Sequence, residues 1–322
     1  MVSLKQYING YTITLGIAWI IYVTLSLSSP ESIKNAERYD ISMFALILLS
    51  LSVFVPLFLI WFCAVAGWSR FHDFVGNIKI QTRREAYNLI TIGLSILALQ
   101  LILVPIASSA YRFIGGSVDA AEYVIASNYE STFVKLIGFA FIFWGSIRLL
   151  RMQKQKIPLA TKILNVGVPV GLFGAFYSLL VFSNPARQTS VDSLAIATYH
   201  MPDELVVGTI MIPVVMTWAL GLMIIVNMEH YSRYSMSTSR RGIINFFNGM
   251  LMIVAATVLT QIFESLGASR TGELGLGPTL IIVYVLLGII GLGFALIARG
   301  ALQMRQQMLS KKKRVTLKAG AQ

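Results

Sequence analysis

The feature that most constrains this chain is a series of eight apolar stretches, each about as long as a helix that crosses a bilayer. They run Gly10–Ser28, Ser42–Gly67, Tyr87–Ala110, Phe133–Leu150, Ile163–Phe182, Leu205–Met228, Ile243–Phe263 and Pro278–Ala298. A hydrocarbon core about 30 Å thick needs about 20 helical residues. None of the stretches has an ionised side chain near its centre. Strand-like alternation is absent, which sets aside a transmembrane β-barrel. The expected fold is an all-α integral membrane protein with eight transmembrane helices.

Composition explains why no soluble alternative competes. Hydrophobic residues make up 56% of the 322 positions and charged residues 12%, with a mean hydropathy of +0.72. Soluble domains are about 25% charged, and a fold of this size has nowhere to hide so much apolar surface from water. The first stretch follows Lys5, as a cleavable leader would. It runs to 19 residues with no small-x-small cleavage site before Pro30, so a retained helix is expected.

The net charge of +12 is unevenly placed. With eight spans, Lys5, the segments after spans two, four and six, and the C-terminal tail fall on one side. That side holds 20 of the 26 Lys and Arg residues and only three acidic residues, Asp73, Glu85 and Glu229. The positive-inside rule then puts both termini in the cytoplasm, in the cytoplasmic (plasma) membrane.

The chain reads as duplicated. Gly16, Tyr22, Leu25, Ser28 and Pro30 match Gly171, Tyr177, Leu180, Ser183 and Pro185 at a shift of 155. Pro56, Trp61, Arg83, Arg84 and Asn88 match Pro213, Trp218, Arg240, Arg241 and Asn245 at a shift of 157. Correspondence in spans four and eight is little more than glycines and an arginine near the basic end. A unit with an even number of spans re-enters from the same side, so the repeats are parallel. The expected division is residues 1–157 and 158–300 as tandem four-helix repeats (4+4), and 301–322 as a basic cytoplasmic tail.

Several residues are candidates for function, and each has a plainer reading. Pro56 and Pro213 are expected in mid-helix, where proline frees a carbonyl and kinks the helix. They suit a hinge or pathway, or a static kink that neighbouring helices relieve. Arg83, Arg84, Arg240 and Arg241 mark the starts of spans three and seven, with Asn88 and Asn245 about one turn deeper. They suit a basic mouth that attracts anions, or topology signals touching lipid phosphate. Gly167 and Gly171 form a G-x-x-x-G for helix packing, either inside the chain or in a homo-oligomer, and the glycines of spans four and eight suit close internal packing.

Other groups exclude more than they suggest. His72 and His230 resemble an axial haem pair, but strict alignment sets His72 opposite Glu229, and no cofactor is expected. His200, Asp203 and Glu204 make at most a weak outer metal set. Cys63 is single and sits in an apolar run, so it reads as a small buried residue. The run Lys311–Arg314 follows a span directly, so anionic lipid head groups, not nucleic acid, are its expected partner. No nucleotide-binding, metalloprotease or serine-hydrolase motif is present, and no carboxylate or lysine sits in mid-membrane to relay protons.

Two functions follow. One is a transporter or pore whose pathway runs between the repeats, lined by Pro56, Pro213, Asn88 and Asn245. The other is a non-catalytic scaffold or sensor subunit that meets partners, or forms a membrane complex, through its loops. The discriminating feature is the seam between the halves, wet or dry.

Overall fold

A computed structural model describes residues 8–28, 43–113, 120–154, 156–182, 211–234, 240–274 and 276–319. Among these residues the chain is helical with no strand, and eight helical stretches are long and apolar enough to cross a membrane. The helices are α1 (Gly10–Leu27), α2 (Met43–Gly76), α3 (Gln81–Phe113), α4 (Ala120–Met152), α5 (Leu159–Lys162), α6 (Val168–Phe182), α7 (Ile212–Tyr234), α8 (Arg240–Leu274) and α9 (Leu276–Ala319). A π turn at Ile163–Gly167 joins α5 to α6, making one span of the three.

The local reasons are in the residues. Asn9 caps α1: its Oδ1 accepts from the Thr12 amide at 3.1 Å, while Thr12 Oγ1 accepts from the Asn9 amide at 2.9 Å. Asn9 Nδ2 also donates to Ser69 Oγ at 2.9 Å, tying the start of α1 to α2. Pro56 lies inside α2. Pro213 is the second described residue of α7. The mid-helix setting expected for it involves residues before 211, which lie outside the described residues. Residues 200–204, with the candidate outer metal set, also lie outside them.

Six long helices form the core, and α1 and the α5–α6 span lie at its edge with most of their side chains exposed. One buried cluster draws residues from α2, α3, α4, α7, α8 and α9, among them Phe71, Ile90, Ile142, Ile224, Ile253 and Phe294. The most extensive contacts are α8 with α9, α3 with α4, α2 with α9, and α7 with α4. Lipid tails supply no hydrophobic drive between helices, so close fit holds them together.

Glycines create that fit. A Cβ on Gly93 would collide with the Gly138 carbonyl across α3 and α4, and one on Gly249 with the Gly293 carbonyl across α8 and α9. A Cβ on Gly145 would stand 2.6 Å from the Ala86 carbonyl oxygen, and one on Gly300 2.6 Å from that of Gly242. The expected internal packing therefore holds for Gly138, Gly145, Gly291 and Gly293. It fails for Gly167, Gly171 and Gly288: an added Cβ on any of them would meet nothing within 4 Å, and the first two are exposed. For those two the reason is that, among the described residues, the α5–α6 span packs chiefly on α7 and turns Gly167 and Gly171 away from it.

Candidate functional site

The candidate site is the seam between residues 1–157 and 158–322, and its described part is filled. Phe71 of α2 stacks on Phe246 of α8, with centroids 4.8 Å apart and planes at 18°. Tyr87 of α3 and Tyr231 of α7 join hydroxyls at 2.9 Å in a buried setting. Phe74 meets the Tyr87 ring edge-on at 5.5 Å. Deeper in, Gly67 of α2 lies so close to α9 that an added Cβ would be 2.5 Å from the Phe294 carbonyl oxygen.

Several polar groups in this core are internally bonded, although the buried Trp61 Nε1 has no partner among the described residues. Asn227 Nδ2 of α7 donates to Ser146 Oγ of α4 at 2.8 Å, and Ser146 in turn donates to the Phe143 carbonyl at 2.7 Å. Thr91, Thr217 and Thr260 each donate to the carbonyl four residues back in their own helix. The buried polar side chains described are all neutral: Thr, Ser and Asn. Such an arrangement specifies helix register.

The four candidate pathway residues do not share one environment. Pro56 is exposed on α2 while Pro213 is buried on α7. Asn88 is exposed on α3, whereas Asn245 is half-buried and donates to Gln303 Oε1 of α9 at 2.8 Å. Arg83 and Arg84 are exposed in the first turn of α3, and Arg241 is exposed in the first turn of α8 beside Arg240. The side chain of Arg240 lies outside what is described.

His72 is exposed on α2, its ring 6.0 Å from Trp68, and His230 is half-buried on α7. Among the described residues no three His, Cys, Asp or Glu side chains gather as a metal site would need. Cys63 is half-buried and carries a free thiol.

At the basic end of the bundle every expected inner acid is paired. Asp73 meets Arg70 at 2.9 Å, Glu85 meets Arg148 at 3.4 Å, and Glu229 meets Arg233. These pairs are partly or well exposed and add little stability. They do leave Lys79, Arg83, Arg84 and Arg151 as surplus positive charge at that end.

Sequence reasoning missed the residues that close the seam. Tyr87, Tyr231, Phe71 and Phe246 look like ordinary interfacial or core aromatics, and the repeat gave no hint, since Tyr87 has an aliphatic counterpart. Asn227 is a polar residue inside an apolar span, and it makes the interhelical hydrogen bond that such a residue suits. No protein-family model, curated protein or solved structure matches the chain.

Proposed function

We propose that this chain is a non-catalytic integral membrane subunit, a scaffold or sensor, built as a parallel 4+4 repeat with both termini in the cytoplasm of a plasma membrane. The observation that carries the reading is the seam. A solute pathway between the halves requires a wet, polar-lined cleft, and the described residues there are aromatic, aliphatic or internally hydrogen-bonded. The surplus basic charge at one end suits anionic lipid head groups, as does the continuation of α9 past the span. At about 1.5 Å per residue, Lys311–Arg314 fall about 4–9 Å beyond Met308, at head-group depth.

The packing supports the duplication. Moving α2 onto α7, α3 onto α8 and α4 onto α9 exchanges the contacts: α3 with α4 becomes α8 with α9, and α2 with α9 becomes α7 with α4. The glycine contacts follow the same exchange. Gly93 and Gly249 differ by 156 positions, Gly138 and Gly293 by 155, and each pair meets its partner in the same way. Gly145 against Ala86 repeats as Gly300 against Gly242.

The test is reconstitution. Liposomes holding the protein should release entrapped ions and small dyes no faster than empty liposomes, and purification in mild detergent should retain a stoichiometric partner or a second copy. A protein-dependent flux that saturates with solute would overturn the reading in favour of a transporter.

A further inference from the structure

The division in the sequence is not the division in the packing. α2 packs more extensively on α9, from the other repeat, than on its own neighbour α3, and α7 packs more on α4 than on α8. We infer that the mechanical units of this protein are two interleaved bodies, each assembled from both repeats. One comprises α1, α2, α8 and α9, the other α3, α4, α6 and α7, and they move against each other along an apolar interface.

Polar bonds and the closest backbone-to-backbone approaches sort this way. Within the first body, Gly67 lies against Phe294, Ile60 against Gly291, Phe71 stacks on Phe246, and Asn245 bonds Gln303. α1 packs on α3 as extensively as on α2, and is placed with α2 because two of its side-chain bonds run there: Asn9 to Ser69, and Trp19 Nε1 to the Phe54 carbonyl at 3.3 Å. Within the second body, Tyr87 bonds Tyr231, Asn227 bonds Ser146, Arg148 pairs with Glu85, and Trp218 Nε1 reaches the Pro169 carbonyl at 3.5 Å. Each of these hydrogen bonds stays inside one body, as does the ion pair.

Contacts between the bodies have another character. Phe71 and Phe74 of α2 touch the Tyr87 ring at 5.8 and 5.5 Å, edge-on. Gly221 of α7 lies close to α8, where an added Cβ would be 2.5 Å from Val254 Cγ1, a side-chain atom and not a backbone carbonyl. Dispersion contacts of this kind are non-directional and change little when surfaces slide, whereas a hydrogen bond in low dielectric is lost once its partner moves. Shear between packed helices therefore costs least along this interface. The chain crosses from one body to the other at Asn77–Ile80, a four-residue link, and again between α7 and α8. A force that tilts helices, such as a change in bilayer thickness, would act across it.

The experiment uses the full chain with Cys63→Ala as background and spin labels at exposed positions near the basic end. Four double-cysteine variants are compared in nanodiscs of short-chain and long-chain phosphatidylcholine. Gly76→Cys with Arg241→Cys, and Met152→Cys with Arg233→Cys, pair different repeats within one body. Gly76→Cys with Met152→Cys, and Arg233→Cys with Arg241→Cys, pair one repeat across the two bodies. The first two distance distributions should hold between lipids, and the last two should shift or broaden. The reverse pattern, movement in all four, or no movement in any would overturn the inference. None of these outcomes depends on whether the protein conducts a solute.

Discussion

Single glycines carry much of the fit, and their environments differ enough to give opposite outcomes on substitution. Gly93→Ala places a methyl group against the Gly138 carbonyl, and Gly249→Ala does the same at Gly293. Each should cost about 1–3 kcal/mol by forcing two backbones apart, read as a lower midpoint in detergent unfolding. Gly167→Ala, whose Cβ meets open space, should stay within about 0.5 kcal/mol of the parent. The Tyr87–Tyr231 pair gives a second test. Tyr231→Phe removes one hydroxyl and leaves the other buried without it, costing about 1–3 kcal/mol, while Tyr87→Phe with Tyr231→Phe should recover most of that loss. A double variant as unstable as the sum of the single ones would show that the hydroxyls do not act as a pair. The value of small residues in spans four and eight was legible beforehand, because glycine is useful between helices wherever it occurs. Which glycines face a neighbour was not, since that depends on how each helix is turned.

Helices here run past the stretches that hydropathy marks. α4 begins at Ala120, although apolar residues start near Phe133, and α9 covers 44 residues, about 66 Å at 1.5 Å each. Hydropathy reports where lipid is; the helix continues wherever residues tolerate it and intrahelical bonds stay satisfied. The pairing of α2 with α9 is the element-level result with the sharpest test. A Cβ on Gly291 would lie 3.7 Å from the Ile60 Cβ, inside the range a disulfide needs. Ile60→Cys with Gly291→Cys, in a Cys63→Ala background with a protease site inserted at 153–158, should leave both halves joined on a non-reducing gel after cleavage. Two separate fragments would rule out this pairing. No periodicity could have announced it, because each helix is apolar on most of its surface and nothing in one stretch names its partner.

For the whole molecule the central prediction is topological. Reporter fusions at Asn35, Ser117, Gln188 and Gly272 should read as outside the cytoplasm, and fusions at Gly76, Gln155 and Ser237 as inside; one misplaced reporter breaks both the orientation and the parallel repeat. By itself the sequence determined that the chain is helical and has eight stretches suited to a bilayer. Every backbone polar group must be satisfied within lipid, and about 20 apolar residues in a row leave helix as the available solution. The paired Pro, Trp and Arg residues of the sequence are what motivates the proposed duplication. Only the tertiary structure decided that α2 packs on α9 and α7 on α4, that Phe71, Tyr87, Tyr231 and Phe246 fill the space between them, and that Gly167 and Gly171 face outward. The physical reason is that burial in lipid acts on each helix separately, through its own residues, whereas partner choice rests on the fit of one helix surface to another. That fit is a property of pairs distant in sequence, and it appears only once all the helices are placed together.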